Sequence, residues 1–185
     1  MANFQVVELV GLSGGLCLLW SDAIQCIFLY LSTDRVTRRR QFDELVTKYT
    51  KWGSSWTIAG DFNNIIDDTG KIGGRARESW SFNDFKIFIW KLNGIDLGYK
   101  GKPWTWWCYR KNEGVIQERL DRTLGSPHWR AKFDNANVIH VETEASDHVA
   151  LIISTETSLV RKKKRFYFDK RWCDKEEITG MIQRA

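Results

Sequence analysis

Strand-forming runs at the two ends of the chain, with helical repeats between them, predict a layered α/β or α+β domain with a mixed sheet. Three observations carry this. Apolar runs at 4–10, 16–20 and 24–31 are separated by turn residues at 11–15 and at Ser21 and Asp22. Phe42, Leu45, Val46 and Tyr49 recur at helical spacing, as do Phe82, Phe85, Phe88, Ile89 and Leu92. Further strand-like segments follow at 104–109, 115–120, 138–141 and 149–154, and nothing repeats at a fixed period.

Taken in order, 4–10, 16–20 and 24–31 read as a meander whose apolar runs predict strands covered on both faces. Gly-Leu-Ser-Gly-Gly at 11–15 is a tight turn, because it lacks the Lys and following helix of a phosphate-binding loop. The segment 33–51 predicts an amphipathic helix capped by Thr33 or Asp34, with Arg38, Arg39 and Arg40 on its solvated face. A strand at 56–59 leads into a polar, Gly-rich loop at 64–77, expected on the surface. A second helix spans 79–93 and is ended by Gly94. The strand at 104–109 turns at 111–114 into its return partner at 115–120, which runs on into Asp121 and Arg122. A short helical turn is expected at 126–133, a basic stretch at 161–165 and a weak helix at 174–184. We expect one domain over 1–160 and a basic, helical connector over 161–185.

With 185 residues the chain can bury a real core, and 43% hydrophobic with 14% aromatic content excludes a disordered segment. Ten Trp place several indoles at the core edge or on a binding face, since each N–H needs a partner. A net charge of +5 permits a nucleic-acid partner without demanding one. Cys17, Cys26, Cys108 and Cys173 form no metal-binding spacing and read as reduced thiols. The longest apolar stretch, 10–31, is interrupted by Ser13, Ser21, Asp22 and Gln25, and no secretory signal is recognisable. The expected location is intracellular, nuclear or cytoplasmic.

The residues with most chemical promise are Asp61 and Asn63, just past the end of the apolar strand at 56–59. Asp121 and Asp147 also fall at or near strand ends, and His148 follows the second of them. Carboxylates and amides of this kind suit Mg²⁺ or Mn²⁺, and a His can hold a phosphate beside them. Any one Asp at a strand end is more often ordinary turn chemistry, but three with matching neighbours shift the balance. Ser146, Asp147 and His148 do not make a hydrolytic triad, because neighbours in extended chain point to opposite faces and no Gly-x-Ser-x-Gly elbow is present.

Gly60-Asp61-Phe62-Asn63, Glu118-Arg119-Leu120-Asp121-Arg122 and Ser146-Asp147-His148, in this order, resemble the endonuclease/exonuclease/phosphatase (DNase I-like) superfamily. Ser13-Gly14-Gly15-Leu16-Cys17-Leu18-Leu19-Trp20, Lys71-Ile72-Gly73-Gly74, Asp96-Leu97-Gly98, Trp104-Thr105-Trp106 and Phe166-Tyr167-Phe168-Asp169 before Trp172 resemble one branch, the endonuclease domain of plant non-LTR (LINE-type) retrotransposons. The resemblance implies a four-layer α/β sandwich and a Mg²⁺- or Mn²⁺-dependent phosphodiesterase that nicks DNA. It implies that Asp61 orients or activates water and that Asn63 holds the scissile phosphate. His148 would contact that phosphate, steadied by Asp121, while Asp147 would be a metal-site or histidine-supporting carboxylate. Trp104, Trp106 and Arg119 would lie near the DNA, although core packing explains the two indoles equally well.

The family's amino-terminal Asn and Glu motifs are not recognisable around Asn3 and Glu8, and Tyr30 does not stand in a matching context. The strand expected between the meander and the first helix is also missing. These departures imply a fold incomplete at its amino-terminal side, a partial metal site and weak or absent activity. Two expectations follow. One is a degenerate, metal-dependent DNA endonuclease, monomeric and once fused to a reverse transcriptase. The other is a non-catalytic module that binds nucleic acid through 38–40, 162–165 and exposed Trp.

Overall fold

Three apolar strands pair next to one another at the start of the chain: β1 (Asn3–Val7), β2 (Gly15–Ser21) and β3 (Ile24–Tyr30) form the antiparallel meander that the turns predict. The structure is a computed structural model that describes 3–7 and 15–21 as strand backbone, and 24–144 and 146–155 with their side chains. The basic stretch at 161–165, the helix at 174–184 and the boundary at 160 lie outside the described residues.

After β3 the chain rises into α1 (Arg35–Lys48), capped by Asp34, whose Oδ1 accepts the Thr37 N–H at 2.8 Å. Such a cap is worth about 1 kcal/mol. It then returns as β4 (Trp56–Asp61), parallel to β3. A parallel pair needs such a crossover, and α1 is its helix. Short β5 (Lys71–Ile72) precedes α2 (Trp80–Lys91) and β6 (Ile95–Asp96). Next come β7 (Trp106–Arg110), β8 (Gly114–Glu118), β9 (Asp121–Gly125), α3 (Pro127–Lys132), β10 (Asn137–Val141) and β11 (Ala150–Ser154). The main sheet has the order β1-β2-β3-β4-β9-β6, beside a β5-β8-β7 sheet and a β10–β11 pair.

The core lies between the main sheet and the two long helices. Ile27 and Leu29 of β3, Trp56 and Ile58 of β4 and Leu124 of β9 meet Phe42 and Leu45 of α1, Phe85 and Phe88 of α2 and its capping residue Leu92. The Phe85 ring stacks between Phe42 at 5.5 Å and Phe62 at 4.8 Å. This is the stripe that the helical spacing predicts.

Four expectations need correction. β3 is covered on one face only, and Phe28 and Tyr30 are 40% and 44% exposed. Arg38 is not on a solvated face; it is 6% exposed, while Arg39 and Arg40 are exposed. The loop after β4 is not all surface, because Ile65 is fully buried against Phe82 and Leu120, and Gly70 packs on its side chain. The segment 115–122 is two strands in two sheets, and 104–105 is not strand. Thr105 explains both: its Oγ1 accepts the N–H groups of Leu120 and Asp121 at 2.9 Å each, which takes them out of the β8 ladder. Sequence pattern carries no trace of this, since Thr is also a good strand former.

Candidate active site

The site is a consequence of register. β4 and β9 pair antiparallel so that Asp61 stands opposite Asp121. Like charges directly opposite one another oppose pairing, so the arrangement costs stability. Both carboxylates are buried, and Asp61 is 5% exposed. Burial and the charge of Asp121 push Asp61 up to about 6, against the pull of the Asn63 N–H and of His148.

His148 reaches the pair from the loop before β11. That loop is fastened to the start of β7 by hydrogen bonds from Trp107 N–H to Asp147 O and from Val149 N–H to Thr105 O. His148 Nδ1 lies 2.8 Å from Asp121 Oδ2, and Nε2 lies 4.0 Å from Asp61 Oδ2. The hydrogen bond to Asp121 leads the causes that raise the His148 pKa, with burial opposing it. Asp61, Asp121 and His148 offer three ligand atoms that lie within 4.8 Å of one another. Two opposed carboxylates that repel in a buried pocket, with an imidazole beside them, form a place where a divalent cation fits.

Asn63 follows in a left-handed turn, at φ 49°. Its backbone N–H donates to Asp61 Oδ1 at 2.7 Å. Its side-chain Nδ2 donates to Leu31 O at 2.7 Å and to Asp61 Oδ2 at 3.0 Å. Both amide hydrogens are therefore used inside the protein, and Asn63 orients Asp61. Asp147 stands apart from the three-ligand group, and its Oδ2 accepts the Trp106 indole N–H at 2.8 Å.

Asn63, Trp106, Asp147 and His148 line one cleft of about 730 Å³. Trp104 does not line it, and Arg119 faces a separate cavity of about 250 Å³. Arg119 donates to Asp96 at 3.1 Å and lies over the Tyr99 ring, 4.4 Å from its centre. The cleft also gathers residues that sequence reasoning did not place there: Tyr30, Arg38, Lys71, Arg77, Trp80 and Glu118. Tyr30 enters from the end of β3, where it pairs with Asp61 across a parallel register that the sequence pattern does not give. Glu118 is buried and accepts from Lys71 Nζ at 2.7 Å and from Arg77 Nη2 at 2.5 Å.

No protein-family model matches the chain, and no curated protein matches its sequence. Solved structures do match. The endonuclease domain of TRAS1, a telomere-specific non-LTR retrotransposon, superposes with a TM-score of 0.54 at 15% identity, over 81% of this chain and 68% of that one. The 3'-5' exonuclease NExo from Neisseria meningitidis gives 0.57 at 16% identity, over 75% of this chain and 64% of that one. This chain has a DNase I-like fold. An AP endonuclease from Archaeoglobus fulgidus gives 0.55 at 15% identity, again over 75% of this chain and 64% of that one. The chain thus spans about two thirds of the length of these DNase I-like structures. Among the described residues, no helix is long and apolar enough to cross a membrane.

Proposed function

We propose that this chain is a divalent-cation-dependent phosphodiesterase that nicks DNA. The observation that carries the reading is the group of Asp61, Asp121 and His148, beside the cleft that His148 and Asn63 line. The fold supports it, since the neighbours are nucleases by name and one NExo structure is described as bound to a product DNA hairpin. The carboxylates of Asp61 and Asp121 would hold Mg²⁺ or Mn²⁺ beside His148, and the chemistry supplied there would be charge neutralisation at the phosphoryl oxygens.

The chain's own residues do the rest. Asp61, ionised above about pH 6, accepts the proton of the attacking water. Asn63 fixes both oxygens of that carboxylate, so that its free lone pairs have one direction. Asp121 holds His148 through Nδ1, which fixes the ring and favours its protonated form. Nε2 is then free to donate to a phosphoryl oxygen in the cleft that His148 lines.

One observation favours a second reading, a non-catalytic nucleic-acid-binding module. The Asn63 amide, which should hold the phosphate, already gives both hydrogens to Leu31 and Asp61. Conversion of supercoiled plasmid to open circle in Mg²⁺ separates the two. The catalytic reading expects nicking that Asp61→Ala abolishes. Equal background cleavage by both proteins overturns it, and salt-sensitive DNA binding without nicking supports the module.

A further inference from the structure

Among the described residues, Arg38 is the arginine or lysine of the cleft that no carboxylate contacts. Arg35 is paired with Asp84 at 3.1 Å, Lys71 and Arg77 share Glu118, and Arg110 is paired with Glu113 at 3.2 Å. Arg38 lines the same cleft, yet among the described residues no carboxylate lies within 4.0 Å of it. Asp84 is committed to Arg35 and Arg39. Arg38 Nη1 donates to the carbonyls of Ser32 and Thr33 at 2.9 Å each, and among the described residues Nε and Nη2 have no hydrogen-bond partner.

A buried cation with no carboxylate in contact is expensive. Here burial and the charge of Arg77 work against the protonated guanidinium, and Asp34, Asp61 and Asp84 favour it without touching it. The fold nevertheless buries this side chain in the wall of a cleft that also holds Asn63 and His148. A planar guanidinium anchored by one nitrogen, with its remaining edge unpaired, suits a phosphate. Tyr30, Trp80 and Trp106 on the same walls suit the sugars and bases that flank one.

We propose that Arg38 forms a backbone-phosphate subsite in this cleft, gripping a non-bridging oxygen of the bound DNA strand through its free guanidinium edge. The identity of the ligand rests on the DNA reading above. A residue that only pinned the Ser32 and Thr33 carbonyls would affect stability and leave the charge of the ligand irrelevant.

The test is a chemical double-mutant cycle, read as binding of a fluorescein-labelled DNA duplex in EDTA, so that no catalysis is needed. Wild type, Arg38→Lys and Arg38→Met are titrated with the all-phosphate duplex and with duplexes in which one phosphate at a time is a neutral methylphosphonate. The subsite predicts a loss of roughly tenfold for Arg38→Met, with the salt slope of binding falling by about one unit. It further predicts one phosphate position at which the methylphosphonate costs wild type affinity and costs Arg38→Met nothing more. Arg38→Lys, which keeps the charge and can still reach a carbonyl, retains the salt slope and loses part of the affinity. Additive effects at every position, an unchanged salt slope, or no duplex binding by wild type overturns the subsite. Nicking by wild type together with additivity leaves the catalytic reading standing and removes Arg38 from it. Coupling at one position without nicking does the reverse.

Discussion

Asp61 and Asp121 are cross-strand partners in β4 and β9, and the carboxylate that results, Asp61, keeps its proton to about pH 6. A strand register has thus placed two like charges side by side in a buried wall. The stability of the protein should record that. Folded Asp61 releases its proton near pH 6, against 3.8 ordinarily. Between these values the folded state binds more protons than the unfolded one, so stability falls as pH rises through that window. The penalty above it is about 3 kcal/mol. Asp61→Asn removes the charge but loses one hydrogen bond from Asn63, worth about 1 kcal/mol. We therefore expect Asp61→Asn to be about 2 kcal/mol more stable than wild type at pH 8 in EDTA, and no more stable at pH 4. Urea unfolding at the two pH values checks this, and a wild type that is the more stable at both would contradict it.

His148 carries the opposite sign. Its pKa is raised, first by the hydrogen bond to Asp121, so its stabilising contribution is complete below 6.5 and fades as pH rises through the folded value. Asp121→Asn should lower the His148 pKa. An NMR titration of the imidazole Hε1 resonance reads this directly, and an unchanged midpoint would show that Asp121 does not hold the ring.

Gly60 is demanded by the approach of β3 to β4. At φ +139° it sits where a Cβ would lie 1.9 Å from Leu29 O. Backbone cannot yield as a side-chain tip does, so Gly60→Ala should cost more than about 3 kcal/mol, or prevent folding. A thermal melt close to that of wild type would rule out this packing.

Glu118 should behave as a buried hub. Lys71 and Arg77 both converge on it, and replacing it with Gln leaves two cations facing an uncharged group. We expect Glu118→Gln to cost about 3 kcal/mol. Lys102 and Glu142 also pair, but both are exposed, and Glu142→Gln should change stability by less than about 0.5 kcal/mol. Chemical unfolding of the two variants separates the cases.

Much of the site is legible in the sequence for a simple reason. Asp61, Asn63, Asp121 and His148 lie at or just past strand ends, where turn signals and short apolar runs mark the boundaries. Pattern alone does not give register, so nothing showed Asp61 opposite Asp121 or Tyr30 beside Asp61. Nor does it separate one arginine of a run from the next. Arg38 points inward because helical geometry carries it to the side facing the Ser32 and Thr33 carbonyls, while Arg39 and Arg40 stay in solvent. Thr105 is the third case: a strand-forming residue spends its hydroxyl on two N–H groups and ends one sheet where another begins. Asp147 reads like a ligand beside His148, yet its carboxylate faces Trp106, since successive residues of an extended loop point apart.

The central claim is that Asp61, Asp121 and His148 act together as one cation-dependent unit on a phosphodiester. Single-turnover nicking of a DNA duplex in Mg²⁺, by wild type, Asp61→Ala, His148→Ala and the double variant, tests it most directly. The account predicts cleavage by wild type that EDTA stops, a loss of at least about a hundredfold in each single variant, and a double variant little slower than the worse single one. Cleavage that survives EDTA, or that is as fast in Asp61→Ala as in wild type, would contradict it.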